Sequence, residues 1–406
     1  MALDASSLRS QDFRRILLIK LSAVGDVVHT IPVLNKLRRR YPTARIDWLV
    51  TPAIAELIRH HPGISNLVLF DRQDWSVPWR PGWSALRRAA SLIAELRAAR
   101  YELIVDLHGQ FRTAFFTLVA GAPVRVGFDR PRAAVWSASD RRVPEEARKH
   151  AWKGAREGSW LAYTHPIRVP TLDIHAVDRY LSVGTMLGFD EGPADFTFPI
   201  PADADARVDN LLRASGVDME RGLLLLAPGT NWETKHWGAE NFAEVARHFI
   251  GGGRQVGLIG SERERAICAA VATAAPSVVD LCGRTTLTEL AALVRRSAGC
   301  VTNDSGPMHL AVALDRPVVS VFGPTDSVWI GPYRREGAVL RRDLPCAPCY
   351  LRRLRQCRHN HACMREVPAS AVIARMEALL AQGGATVGFR GHERALPQFA
   401  SSDGPE

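Results

Sequence analysis

No run of 18 or more apolar residues occurs in the 406-residue chain, so no segment is long enough to span a bilayer as a helix. Cysteine is sparse at seven residues, which excludes a disulfide scaffold in a chain this long. Lysine is scarcer still, with 5 residues against 47 arginines. The first dozen residues, MALDASSLRSQD, carry two aspartates and no apolar core. No secretory signal is therefore expected, and the cytosol is the expected compartment. No internal repeat and no long low-complexity tract stands out. What is present is ordinary globular usage, 47% hydrophobic and 23% charged, enough for two to three domains at about 150 residues each. The formal net charge of +10 favours anionic partners such as nucleic acid, phosphosugars or a lipid headgroup surface.

Apolar, β-branched runs alternate with helical patterns along the chain. Ile16–Lys20, Ile46–Val50, Asn66–Phe70 and Tyr101–Leu107 read as strands, with helices over Pro32–Tyr41, Pro52–His60 and Trp83–Arg100 between them. A second series starts after Gly222, with strands at Leu223–Ala227, Gln255–Ile259, Val278–Leu281, Gly299–Thr302 and Pro317–Phe322. Helical patterns at 238–250, 261–275, 286–297 and 307–315 separate them. Such alternation predicts two doubly wound α/β units built on parallel sheets, with a cleft between them. The expected organisation is a tail over 1–13, a first Rossmann-like domain over 14–191, a Pro- and Gly-rich linker over 192–201, a second over 202–386 and a disordered tail over 387–406.

Ligands of open α/β sheets bind beyond the carboxyl ends of strands, and three such ends carry unusual polar residues. After the first strand comes SAVGDVVHT, where Asp26 and His29 lie three apart and share a helical face. Asp26 has two readings, a proton acceptor for a hydroxyl nucleophile or a helix cap. A helix N-terminus lowers an aspartate pKa, which argues for a weak ground-state base. After the first strand of the second half comes APGTNWETKHW. There Gly229 frees backbone N–H groups, Thr230 and Asn231 supply short donors, and Lys235 brings a point charge suited to a diphosphate. The third end is TNDSGPMH, with Ser305 and Gly306 at a helix N-terminus and His309 one turn in, either facing an anion or simply buried. Gly323-Pro-Thr-Asp326 adds another loop on the same rim.

In this order, ILLIKLSAVGDVVHTIPVL, APGTNWETKHWGAENFAEVA and TNDSGPMHLAVALDRPVVSVFGPTDSVWIGPY resemble glycosyltransferase family 9, the ADP-heptose:lipopolysaccharide heptosyltransferases. The match covers roughly residues 14–385. The GDVVHT form resembles the heptosyltransferase I branch, whose acceptor is the Kdo region of the inner core. That resemblance implies a GT-B fold and an inverting, metal-independent transfer with no cofactor, from ADP-L-glycero-D-manno-heptose to an anionic Kdo–lipid A acceptor. It also implies a place in the cytoplasm, peripheral to the inner membrane. By the same resemblance Asp26 is the general base and Lys235 meets the donor diphosphate, with Thr230 and Asn231 beside it. Asp304, Ser305, Gly306 and His309 match the segment that meets heptose and diphosphate. Glu262 is assigned to the nucleoside ribose, with Glu264 as rival, and Thr285 to the nucleotide. Asn231, Trp232 and Pro307 depart from the family pattern, which bears on donor fine specificity. No DxD-type metal site is read between two strands, which fits the metal independence that the resemblance implies.

Two features remain. Cys346, Cys349, Cys357 and Cys363 open with a CxxC, but their later spacings fit no common zinc pattern, so partly buried thiols are the plainer reading. Their arginine surroundings admit a non-enzyme alternative, a Rossmann-like nucleic-acid-binding protein. Residues 125–156 carry nine Lys/Arg against four Asp/Glu, and Trp75, Trp79 and Trp83 interleave with Arg80, Arg87 and Arg88 just upstream. These read either as solvated faces or as a surface that meets the anionic glycolipid and membrane, with His29, Arg80 and Arg125 as acceptor-side candidates. Another family 9 transferase, with a different core position or donor sugar, is the nearer alternative.

Overall fold

The computed structural model describes residues 8–71, 83–130, 155–169 and 174–382. The first sheet is built from β1 (Arg15–Ile19), β2 (Arg45–Val50), β3 (Asn66–Leu69), β4 (Leu103–Asp106), β5 (Val124–Phe128) and β6 (His165–Ile167). Its order is β3-β2-β1-β4-β5-β6, and every pairing is parallel. The second sheet holds β7 (Leu223–Ala227), β8 (Gln255–Leu258), β9 (Val279–Asp280), β10 (Gly299–Asn303), β11 (Val318–Phe322) and β12 (Val339–Arg341). Its order, β12-β11-β10-β7-β8-β9, repeats the same doubly wound topology, again all parallel. The two α/β units expected from the alternation are therefore present. Central strands such as LLLLA of β7 are apolar throughout because helices cover both faces of a parallel sheet. The edge strands β3, β9 and β12 are short and half-exposed, which limits unwanted edge pairing.

Several elements differ from the sequence pattern. The helix read from Pro32 starts eight residues earlier and runs over Val24–Arg40 with Pro32 inside it. Proline removes one backbone hydrogen bond there, and the burial of Val27, Val28, Ile31, Val33 and Leu34 around it offsets that loss. The strands β5 and β6 escape a hydrophobic-run reading because VRVGF and HPI are short and carry Arg125, His165 and Pro166. Residues 8–13 are not loose: Leu8 and Phe13 are buried, and the Arg40 guanidinium donates to the carbonyls of Arg9 and Gln11.

The 192–201 stretch is irregular but tied down. Asn35 donates to the carbonyls of Asp195 (2.8 Å) and Thr197 (3.1 Å), and Phe196 and Phe198 are buried. The two units also touch directly. The Thr288 hydroxyl donates to the Glu56 carbonyl at 3.0 Å, the His175 ring to the Gly331 carbonyl at 2.9 Å, and Tyr333 to Asp178 at 2.6 Å. The last helix, Ala369–Gln382, packs on β10, β11 and the Ala239–Gly251 helix. No helix among the described residues is long and apolar enough to cross a membrane.

Candidate active site

Strand order reverses between β1 and β4 in one sheet and between β7 and β10 in the other, and an open sheet binds ligands in the crevice at such a reversal. The loops leaving these four strands carry Asp26, His108, Lys235 and Asp304. Topology also turns the two crevices toward each other: a Cβ on Gly306 would lie 3.2 Å from Cβ of Val24. One cleft between the units thus has a rim from each.

On the first rim, Asp26 sits in the first turn of the Val24–Arg40 helix. Its Oδ2 accepts from the Ala23 N–H at 3.2 Å. Its Oδ1 accepts from the Tyr180 hydroxyl at 2.8 Å and lies 3.2 Å from the Lys20 ammonium. Burial acts to raise the Asp26 pKa, but Lys20 and the Tyr180 hydrogen bond outweigh it and hold the group at about 2. The side chain still keeps 42% of its surface exposed, so an ionised carboxylate faces the cleft. His108 stands beside it after β4. Buried Asp106 fixes that loop by accepting from the N–H groups of His108 (2.9 Å) and Gly109 (3.2 Å) and from the Tyr163 hydroxyl (2.8 Å). Burial lowers the His108 pKa to about 4, so its ring is neutral near pH 7.

On the second rim, Asn303 staples β10 to the loop after β7: its amide donates to the Pro228 carbonyl at 2.8 Å, and its oxygen accepts from the Trp237 N–H at 3.1 Å. This holds Lys235 against Asp304 at 2.6 Å, and Asp304 also accepts from the Thr325 hydroxyl at 2.6 Å. The Lys235 ammonium lies 4.5 Å from the centre of the Trp232 ring, and the Arg352 guanidinium 4.9 Å from the same ring. Ser305 occupies the N-cap position of the Gly306–Ala313 helix without a side-chain capping bond, and the N-terminal N–H groups there form an end suited to an anion. Thr230 also sits here, its carbonyl accepting from His236 at 3.0 Å, while Asn231 is exposed.

Between the rims lie the buried imidazoles of His29 and His309 and the half-buried one of His175. His29 Nε2 and His309 Nδ1 are 2.9 Å apart across the domain interface, and the rings of His29 and His175 are 5.0 Å apart. Burial lowers all three pKa values, to about 4 for His309 and about 3 for His175, and a neighbouring imidazole adds to the effect at His29 and His175. Neutral rings pack here without charge repulsion. Gly25 makes the close approach possible, because a Cβ there would lie 2.3 Å from Cδ2 of His309. Gly25→Ala is therefore expected to cost about 1–3 kcal/mol through overpacking, read as a lowered Tm in a thermal melt. An unchanged Tm would show that the interface yields freely.

The structure brings Asp26, Thr230, Lys235, Asp304, Ser305 and Gly306 to one cleft, and places others differently. His29 and His309 are bonded to each other in the interface rather than aimed at an acceptor or an anion. Arg125 is at the amino end of β5, away from the cleft, and its guanidinium is committed to the carbonyls of Ala122 (2.6 Å) and Ala162 (2.7 Å). This placement gives the acceptor-side expectation for Arg125 no support. Glu262 points outward, 70% exposed, and pairs with Arg265. Its rival Glu264 instead lies against the loop after β7, where a Cβ on Gly229 would meet its carboxylate oxygen at 2.4 Å. Thr285 is half-buried, in the turn before the Leu287–Arg296 helix. Arg80, Trp75 and Trp79, most of the basic stretch 125–156, and the 387–406 tail lie outside the described residues.

The cysteine segment closes over the second rim. Thr234 donates to the Leu351 carbonyl at 2.5 Å, His361 to the Thr234 carbonyl at 2.7 Å, and the Leu354 N–H to Glu233 at 3.0 Å. Cys363 is buried and the other three thiols are half-buried. No group of three or more His, Cys, Asp or Glu among the described residues is arranged to hold a metal ion. Arg341 and Arg342 face Asp343 and Glu366, and Arg352 faces Trp232.

Sequence reasoning missed Lys20, Tyr180 and His108. Lysine scarcity was the one available signal for Lys20, since one of only five lysines stands at a strand end.

Comparison with known proteins gives the same picture. The family model for glycosyltransferase family 9 (heptosyltransferase) matches residues 89–153 and 147–361. The chain is similar to the Pseudomonas aeruginosa lipopolysaccharide heptosyltransferase 1, 30% identical over 82% of this chain and 86% of that protein. Among solved structures, a family 9 glycosyltransferase from Veillonella parvula superposes with TM-score 0.73 at 22% identity, covering 92% of this chain and 99% of that one. The E. coli heptosyltransferase WaaC with ADP-2-deoxy-2-fluoro heptose gives TM-score 0.66 at 22% identity, covering 90% and 99%. Their shared architecture is the GT-B fold of two facing Rossmann-like units, and with this level of likeness the chain belongs to glycosyltransferase family 9, the heptosyltransferases.

Proposed function

We propose that this glycosyltransferase moves heptose from ADP-heptose to the Kdo region of a lipopolysaccharide inner-core precursor, inverting the anomeric carbon. The observation that carries the reading is the ionised, cleft-facing Asp26 on one rim, opposite Lys235 and the Gly306–Ala313 helix end on the other. In the proposed step, Asp26 takes the acceptor hydroxyl proton as its oxygen attacks the anomeric carbon. The bond from that carbon to the diphosphate breaks, and ADP leaves with the electron pair. Lys235 and the N–H groups at Ser305 and Gly306 meet the charge that develops on the leaving group. A single displacement of this kind inverts the configuration. With fixed cations in place, we propose that no metal is required, so EDTA should leave the rate unchanged.

The preference for this acceptor position follows the similarity to a relative named lipopolysaccharide heptosyltransferase 1, and relatives named heptosyltransferase 2 and 3 make another core position the nearer alternative. An anionic lipid-linked acceptor implies work on the cytoplasmic face of the inner membrane, with the basic character of the chain aiding approach.

A direct test uses thermal stability. ADP at about 100 times its Kd should add about 2.7 kcal/mol by mass action, read as a Tm increase on the order of 5–10 °C. An oligonucleotide should leave Tm unchanged. Stabilisation by the oligonucleotide but not by ADP would overturn the transferase assignment in favour of nucleic-acid binding. Turnover with a panel of nucleotide-heptoses and truncated core acceptors then fixes donor and acceptor.

A further inference from the structure

We propose that Lys20 and Tyr180 are positioning residues for the transfer: together they saturate Oδ1 of Asp26, so that the acceptor's proton is delivered to Oδ2. The inference rests on Asp26 being the base. It stands on a hydrogen-bond count around one carboxylate.

Lys20 follows β1 and is 4% exposed. Its backbone is fixed by the Trp48 indole N–H, which donates to the Lys20 carbonyl at 3.1 Å. The ammonium has three protons. They are directed at the Leu107 carbonyl (3.0 Å), the Tyr180 hydroxyl (2.6 Å) and Oδ1 of Asp26 (3.2 Å). The Tyr180 oxygen accepts from Lys20, so its own proton is free to go to Oδ1, at 2.8 Å. Oδ1 therefore receives two donors, which fill the two in-plane positions of a carboxylate oxygen. Among the described residues Oδ2 receives only the Ala23 N–H, at 3.2 Å, which leaves one of its positions open to a cleft ligand. A proton placed on Oδ1 would point at donor hydrogens, whereas one on Oδ2 would not.

This arrangement also sets how the proton moves. Lys20 keeps the carboxylate ionised at working pH, which makes it a weak base toward a resting hydroxyl. Transfer to Oδ2 then accompanies formation of the new bond from the acceptor oxygen to the anomeric carbon, when that oxygen has become acidic. The carbon–diphosphate bond breaks with its electron pair leaving on ADP. The carboxylic acid so formed is strong and discharges its proton to water, restoring the anion. Lys20 and Tyr180 keep their own protons throughout.

The other titratable or charged groups that face this cluster are His108 from the loop after β4, Arg179 from the Ala176–Leu181 helix, Arg156, and His29 and His309 from the interface. The two arginines keep their charge, and His108 and His309 take up protons only near pH 4, so a limb that moves above that value follows Asp26.

The test is the pH profile of kcat/KM for the full-length protein and four variants. Wild type should be flat on the acid side down to about pH 4, since its base titrates lower. Lys20→Met removes the nearby opposite charge and should move the acid limb up by about 1–3 pH units, while Lys20→Arg should return it toward wild type. Tyr180→Phe should lower kcat by about tenfold with donor KM unchanged, and shift the limb in the same direction by less. A merely structural role would lower Tm and leave the limb in place. Should Lys20→Met fail to fold, the near-isosteric Tyr180→Phe carries the test alone. Limbs within about 0.3 unit of wild type would overturn the proposal. The fourth variant, Asp26→Asn, separates the two ideas: if it keeps its activity, the base assignment itself fails, whereas inactive Asp26→Asn with unmoved limbs sinks only the role of Lys20 and Tyr180.

Discussion

Asp26→Asn is expected to cut kcat by about 10²–10⁴-fold, the usual worth of general base catalysis, with donor affinity little changed. The asparagine keeps the shape and can still accept from Tyr180 through its oxygen, but it cannot take a proton. Stability will not be untouched. The new amide would face the Ala23 N–H, donor against donor, and the buried Lys20 ammonium would lose its counter-ion. Breaking a fully buried pair costs about 3–5 kcal/mol. Here Asp26 is 42% exposed and Lys20 keeps the Leu107 carbonyl and Tyr180 hydroxyl, so about 1–2 kcal/mol is the expected loss. Rates must accordingly be measured well below the variant's Tm, with the folded fraction checked by circular dichroism. A helix-capping role alone predicts a comparable stability loss with near-normal turnover. Turnover within about threefold of wild type would therefore remove Asp26 from the chemistry.

The three strand-end loops were legible because a doubly wound sheet exposes the carboxyl ends of its strands, so short polar residues directly after an apolar run are placed before any coordinates exist. Asp26 and Lys235 were singled out that way, whereas Asp304 came only from the resemblance. Tyr180 was not, because it meets Asp26 across 154 residues of chain and nothing local marks a tyrosine in AVDRYL as a partner of a carboxylate. Lys20 was read as the end of a strand, and only the packing of Trp48 and Leu107 around it shows that its charge is buried. Arg125 fails for a related reason. Charge density along the sequence does not tell the amino end of a parallel strand from its carboxyl end, and only the latter faces the cleft. The histidines show a third limit. His29 and His309 each sit at a helical position that a ligand site would use, yet the approach of the two sheets turns them on each other across 280 residues of chain.

Lys235→Ala should show two separable losses, and the structure changes the weight of the second. If the ammonium meets the donor diphosphate, its removal should weaken donor binding by about 1.5–3 kcal/mol, or roughly 10–150-fold in Kd. From sequence this is a loop lysine whose loss the fold would ignore. In the structure its side chain is only 12% exposed and bonded at 2.6 Å to Asp304, itself 4% exposed. Truncation leaves a buried carboxylate with the Thr325 hydroxyl as its remaining side-chain partner, and the loss of such a pair costs up to about 3–5 kcal/mol. The Thr325 bond lowers that figure, so a Tm decrease on the order of 5–10 °C is expected. Pairing Lys235→Ala with Asp304→Asn neutralises the stranded charge. The double variant should recover much of the lost Tm and none of the lost donor affinity, because the diphosphate still lacks its cation. Trp232 supports the same conclusion from the other side: its ring steadies both Lys235 and Arg352, so Trp232→Ala should weaken donor binding in the same direction and by less. Isothermal titration with ADP decides the matter. A Kd for Lys235→Ala within about twofold of wild type, beside a lowered Tm, would make this lysine the counter-ion of Asp304 and nothing more.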